Sequence, residues 1–189
     1  MRLRTAGKLK ILDFDIENRP LTYMGGDFTS AEVTSIAAGF MGSREVAFWA
    51  IDLDGGTEDM LTGFKKLYDE ADMVTGHYIR KHDLPIVNGA YLEAGLETLG
   101  AKLSSDTCLD LVKRKDLSRS QEALAGMFGL SQPKVGMSQT AWRAANRLSP
   151  EGLEGTRKRC VGDVRQHKQL REHLVKIGAL KSPRTWHPL

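Results

Sequence analysis

Lys10-Ile-Leu-Asp-Phe-Asp-Ile-Glu-Asn-Arg-Pro20 is the stretch on which the reading of this chain turns. Apolar and β-preferring residues alternate with acids from Leu9 to Ile16 and Pro20 ends the run, so the segment reads as a strand. Its period of two places Leu12, Phe14 and Ile16 on one face and Asp13, Asp15 and Glu17 on the other. Two like charges ~4 Å apart repel by roughly 4 kcal/mol at an effective dielectric of about 20. Such a row persists if it is solvated, shares protons or is neutralised by a cation. For an isolated Asp-x-Glu a solvated edge is the ordinary explanation; the rest of the chain decides between the three.

The chain has 189 residues with 41% apolar content, enough for one substantial core, and residues 1–189 are expected to form a single domain. Cys108 and Cys160 are far apart and lack metal-ligand spacing, which fits free thiols in a reducing compartment. The first residues are basic, but Asp13 and Asp15 interrupt the apolar run behind them, so neither a signal peptide nor a membrane span is expected. A soluble, cytoplasmic protein is the resulting expectation. The net charge of +3 conceals an asymmetry: residues 1–109 hold 11 Lys and Arg against 17 Asp and Glu, and residues 110–189 hold 16 against 7. An acidic half with a carboxylate cluster and a basic half fit a metal site beside a surface for a polyanion.

Taken in order, Leu21 to Glu32 reads as a loop broken by Gly25-Gly26, with Tyr23 and Phe28 on the surface. Ser35–Met41 and Val46–Ile51 read as strands joined in a hairpin through Gly42-Ser-Arg-Glu45. Thr57 offers an N-cap, with Glu58 and Asp59 favourable in the first turn, and Met60, Leu61, Phe64, Leu67 and Tyr68 follow at helical spacing. Asp72–His77 is a short strand stopping at Gly76. Residues 83–95 read as a helix with Pro85 in its first turn and Leu84, Val87, Tyr91 and Ala94 along its inner face. A short strand is expected within Leu103–Leu111, with Asp106 and Asp110 at its ends in structural roles. Ser118-Arg-Ser-Gln121 fits a capping box for a helix stopping near Gly129, and Trp142–Arg147 has helical character. Ser149-Pro150-Glu151 starts a long basic helix that runs to about Ile177, followed by a short tail. A hairpin plus crossover helices predicts an α/β fold with a mixed sheet, three strands antiparallel and others parallel, flanked by helices.

Two further stretches carry chemistry. Gly76-His-Tyr-Ile-Arg-Lys-His-Asp83-Leu-Pro puts Asp83 at a helix N-terminus just after a strand–glycine turn, where an Asp also serves as a cap. Arg157-Lys-Arg-Cys-Val-Gly-Asp163-Val-Arg-Gln-His167 puts an Asp toward the buried side of the long helix, where it needs a partner; Arg159 and His167 are the candidates on the same helix.

Together, Phe14-Asp15-Ile16-Glu17, Gly76-His77 with Asp83-Leu84-Pro85, and Cys160-Val-Gly-Asp163-Val resemble the three motifs of the DEDD superfamily of 3′-to-5′ exonucleases, on the ribonuclease-H-like fold. The form is most similar to the proofreading domain of family B polymerases and to small stand-alone phage exonucleases, and it spans roughly residues 9–172. The resemblance implies that Asp15, Glu17, Asp83 and Asp163 bind two divalent cations, and hard oxygen ligands suit Mg²⁺ or Mn²⁺. Asp13 lies one step further back and is expected to support the ligands rather than join them. The superfamily places a tyrosine four residues before the last aspartate, or a histidine five before it; here those positions are Arg159 and Lys158. Metal-bound water alone, or His167, His82 or Tyr78, are the alternatives for the missing base, and Arg159 is expected to hold phosphate. The implied partner is single-stranded nucleic acid, with DNA the expected form and no membrane involved. His77, Tyr78, Lys113, Arg114, Arg143, Arg147 and Arg159 are the candidate contacts, and Trp142, Tyr23 or Phe28 could stack on bases. A nuclease acting on RNA or branched DNA, and a binding module with weak catalysis, remain as alternatives.

Overall fold

The computed structural model describes residues 9–21, 29–51, 56–112, 117–132 and 135–188. Strand β1 (Ile11–Pro20) lies inside a six-stranded sheet of order β3-β2-β1-β4-β5-β6. Strands β2 (Ala31–Phe40) and β3 (Ala47–Ala50) run antiparallel beside it, joined by the expected Gly42–Glu45 turn. Strands β4 (Met73–Gly76) and β5 (Lys102–Asp106) lie parallel on its other side. Strand β6 (Arg184–Trp186) closes that edge antiparallel to β5. The helices are α1 (Gly56–Glu70), α2 (Asp83–Glu93), α3 (Gln121–Met127), α4 (Gln139–Asn146) and α5 (Pro150–Lys176). This is the mixed α/β arrangement the pattern predicts.

The alternation along β1 sorts the two faces of the sheet. Leu12, Phe14 and Ile16 enter the main core with Phe64 and Tyr68 of α1 and Leu84, Val87 and Tyr91 of α2. The Phe14 and Phe64 rings lie 5.0 Å apart in a tilted pair. The opposite face meets α5, whose Cys160, Val161 and Val164 pack on Ala37 of β2. Small residues on the α5-facing side of β2 (Ala37, Gly39) let this helix come close, and Lys168 reaches across to the carbonyls of Ser43 and Glu45. A third cluster (Leu111, Leu124, Leu170, Leu174) joins α3 to the C-terminal half of α5.

Several boundaries differ from the sequence reading. Strand β2 begins at Ala31, inside the segment read as a loop, and residues 22–28 of that loop, with Tyr23 and Phe28, lie outside the described residues. The α3 cap is Ser120, which accepts from Ala123 N, rather than Ser118. Gln121 is then freed from a capping box and buried against α5. Ala94 is the exposed C-cap of α2, not part of its inner face. The tail forms β6, a three-residue strand with no alternation to reveal it, anchored by buried Trp186. Helix α5 begins as read, with Ser149 accepting from Gly152 N. Among the described residues no helix is long and apolar enough to cross a membrane.

Helix α4 packs tightly on the start of α5. A side chain at Gly152 would run into the backbone of Ala144 and Ala145, so this position admits only glycine without moving a helix. Gly152→Ala is therefore expected to destabilise the fold by about 1–3 kcal/mol, the usual range for overpacking. Thermal denaturation reads this as a lower Tm, and an unchanged Tm would show that the two helices separate freely.

Candidate metal centre

Strand β1 delivers its acids to the face that α5 covers, and each meets a different environment. Asp13 is fully buried, with its Oδ2 2.6 Å from His167 Nδ1. Burial pushes its carboxyl up, while His167, Lys168 and Arg171 pull it back. The other ring nitrogen of His167 lies 2.8 Å from Thr107 Oγ1, and that hydroxyl is 2.9 Å from His77 Nδ1. A chain of polar contacts thus runs from beneath the sheet to the cleft. Asp13 is held by His167 and lies outside the lining of the cleft. His167 is not a candidate base, because both its nitrogens are engaged inside the protein and only 2% of it is exposed.

Glu17 sits where the register between β1 and β2 shifts, an irregularity held by Thr34, whose hydroxyl donates to Glu17 O at 3.0 Å. Arg159 Nε donates to Glu17 Oε1 at 2.7 Å. The same guanidinium donates to Val135 O at 3.0 Å, lies 3.7 Å from Asp163 Oδ2 and rests 5.2 Å over the Trp142 ring. Arg159 is therefore the counter-cation of two cleft acids, a role its spacing to Asp163 suggested only in part. Trp142 is half-buried and supports that cation while lining the cleft.

Asp15 lies between these two settled acids, and among the described residues no cation pairs with it. Burial pushes its carboxyl well above the usual range, and the charges of Asp83, Glu17 and Asp163 push it further. Asp83 opens α2 and is tied to β1 by Ile16 N, which donates to its Oδ1 at 3.3 Å. Asp163 projects from α5 beside Cys160 and Val164 and is 6% exposed. Gln121, which sequence reasoning missed, donates from its amide to Asp163 O at 3.0 Å and to Gln166 Oε1 at 3.1 Å, holding this turn of α5.

Carboxylate oxygens of Asp15, Glu17 and Asp163 lie within 4.8 Å of one another. They open into a cleft of about 430 Å³ that Asp83, His77, Tyr78, His82, Trp142 and Arg159 also line. The donor set fits a hard divalent cation: all the donors are carboxylate oxygens, and their charges already oppose ionisation of Asp15. Arg143 and Arg147 are exposed on and just after α4, outside the lining of the cleft. Lys113 and Arg114 lie outside the described residues.

The turn from His77 to His82 is braced from behind. Asp106 Oδ1 accepts from Tyr78 N, Cys108 N and Leu109 N, and its Oδ2 accepts from Arg80 N. Asp110 binds the Arg80 guanidinium through both oxygens, at 3.1 and 2.5 Å. Tyr78 is held at φ 70°, a conformation costly for a residue with a side chain. The spacing of Asp106 and Asp110 hinted at structural acids; their grip on this turn could not be read from it.

No family profile matches the sequence, and no curated protein does. Among solved structures, the chain resembles the family B DNA polymerase of the hyperthermophilic archaeon Pyrobaculum calidifontis, with a TM-score of 0.63 at 16% identity. The match covers 92% of this chain and 25% of the polymerase, so the chain spans about a quarter of that protein's length. At this identity the likeness establishes the fold.

Two predictions follow from the charges. Because Asp15 has a raised pKa in the folded chain, the fold binds more protons than the unfolded chain between the ordinary carboxylate range and that raised value. Its contribution to stability is full at low pH and is lost as pH rises. The metal-free protein should therefore gain stability relative to Asp15→Asn as pH is lowered from 7 toward 5, measured by urea unfolding. Parallel curves for the two proteins would show that Asp15 ionises normally. Second, Arg159→Gln removes the positive charge beside Glu17 and Asp163 and should tighten Mn²⁺ binding about tenfold, roughly 1.4 kcal/mol. Calorimetric titration would read this, and weaker binding would mean that the guanidinium organises the acids more than it competes with a cation.

Proposed function

We propose that this chain is a two-metal-ion-dependent 3′-to-5′ exonuclease acting on ends of single-stranded DNA. One observation carries the reading: four acids from three separate elements, Asp15 and Glu17 of β1, Asp83 of α2 and Asp163 of α5, converge on one cleft. Their mutual repulsion leaves Asp15 with too much negative charge around it. A solvated edge does not account for acids that α5 covers. The structural neighbour, a DNA polymerase, supports a nucleic acid as partner.

On this reading Asp15, Glu17, Asp83 and Asp163 hold Mg²⁺ or Mn²⁺, and bound cations supply charge against the phosphate and a more acidic water. His77 and Tyr78 meet the terminal nucleotide from one wall of the cleft, and Trp142 meets it from the other. Tyr78 is 44% exposed and offers a surface on which a base stacks. With the acids neutralised, the Arg159 nitrogen nearest Asp163 is placed to take a phosphate oxygen, while its Nε and remaining terminal nitrogen stay anchored on Glu17 and Val135. A guanidinium is a donor with no site to accept a proton, so Arg159 orients substrate rather than moving protons.

The test is a gel of 5′-labelled single-stranded DNA and RNA oligonucleotides incubated with Mg²⁺, Mn²⁺ or EDTA. A DNA ladder shortening from the 3′ end with either metal, absent in EDTA and reduced at least 100-fold by Asp15→Asn, is the expected result. A ladder on RNA alone would reassign the substrate, and one discrete internal product would make the chain an endonuclease. Binding without cleavage would make it a non-catalytic module.

A further inference from the structure

A second depression lies beside the cleft, on the other side of the His77–His82 turn. It is a groove of about 1050 Å³ between the start of α2 and the β6 edge of the sheet. Its lining contains Arg80, Lys81, Arg119, Lys181, Arg184 and His187 and, among the described residues, no carboxylate. Arg80 is bound to Asp110. The other charged groups differ: among the described residues Lys81, Lys181 and Arg184 have no acid within ion-pair distance, and all three are exposed. Three unopposed cations facing one groove repel one another, and the arrangement is relieved by a polyanion. Pro85, Leu109 and Leu92 add apolar surface to the lining, the last 74% exposed.

The two depressions share one wall. Tyr78 and His82 line the cleft, and the intervening Arg80 and Lys81 line the groove. The turn between them is fixed by Asp106 and Asp110, so the distance from the carboxylates to the groove is set by the sheet rather than by a loose loop.

We propose that this groove carries the backbone of the same nucleic-acid strand whose end enters the cleft. It binds the part several nucleotides away from the metal centre, with Tyr78 at the crossing. The inference rests on the reading of the cleft given above and extends it: the protein grips a strand longer than the few nucleotides the cleft holds. A single strand fits better than a duplex, because its unpaired bases are free to meet the exposed Tyr78 and the apolar part of the groove lining.

The experiment compares wild type with a Lys81→Glu, Lys181→Glu, Arg184→Glu variant, using fluorescence anisotropy of labelled 4-nucleotide and 16-nucleotide single strands, DNA and RNA in separate arms. Ca²⁺ replaces the catalytic ion, and salt is varied. For the 16-mer the variant should bind at least tenfold more weakly. The slope of log K against log salt should be less steep by about 2, since each lost single-strand phosphate contact contributes about 0.7. The 4-mer affinity and the Mn²⁺ affinity of the variant should match wild type, which also shows that it is folded. An unchanged 16-mer affinity and slope would overturn the groove while leaving the nuclease reading intact. Equal losses for the 4-mer and 16-mer would overturn it too, because the charges would then act on the cleft. A wild type that binds neither DNA nor RNA would overturn both readings, and the cleavage gel would show that independently.

Discussion

Repulsion among acids that one strand must hold in a row is the constraint on which this molecule depends. Strand β1 sits inside the sheet and cannot move its acids to solvent without also withdrawing Leu12, Phe14 and Ile16 from the core. A one-residue slip would exchange the two faces entirely, so the apolar residues fix the acids in place. The fold then settles each acid by a separate device. Asp13 takes a histidine from α5, and Glu17 takes an arginine from the same helix. Asp15 has, among the described residues, the thiol of Cys160 in place of a cation. What remains unsettled is concentrated at one carboxylate, Asp15.

Helix α5 is the second half of that solution. Its small-residue seam on β2 brings it near enough for Arg159, Asp163 and His167, spaced four apart, to face β1 together. The same helix supplies an acid and two partners for acids, so its position sets both the charge of the site and its neutralisation. Its two other attachments, to α4 through Gly152 and to α3 through Gln121, keep that position from drifting.

How much of this was legible depends on range along the chain. The alternation in β1, the hairpin, the α5 start at Ser149-Pro150-Glu151 and the four cleft acids could be read because each is a local pattern or matches a local motif. Pairings between distant segments could not. Arg159 with Glu17 is separated by 142 residues and His167 with Asp13 by 154, and no spacing rule reaches that far. Local patterns also misled where tertiary packing prevailed: Gln121 looked like half of a capping box but is buried against α5, and the tail looked unstructured but closes the sheet. His167 looked available as a base because a helix position says nothing of what lies across the sheet.

The brace behind the Tyr78 turn has a consequence for how this protein would look to mutagenesis. Asp106 and Asp110 contribute nothing to the lining of the cleft, yet they define where His77, Tyr78 and the start of α2 stand. Replacing either one would release a turn that contains a residue in a costly backbone conformation. On the reading proposed above, a survey scoring turnover alone would return Asp106 and Asp110 together with the four cleft acids, and the affinity of the site for Mn²⁺ would tell the two groups apart.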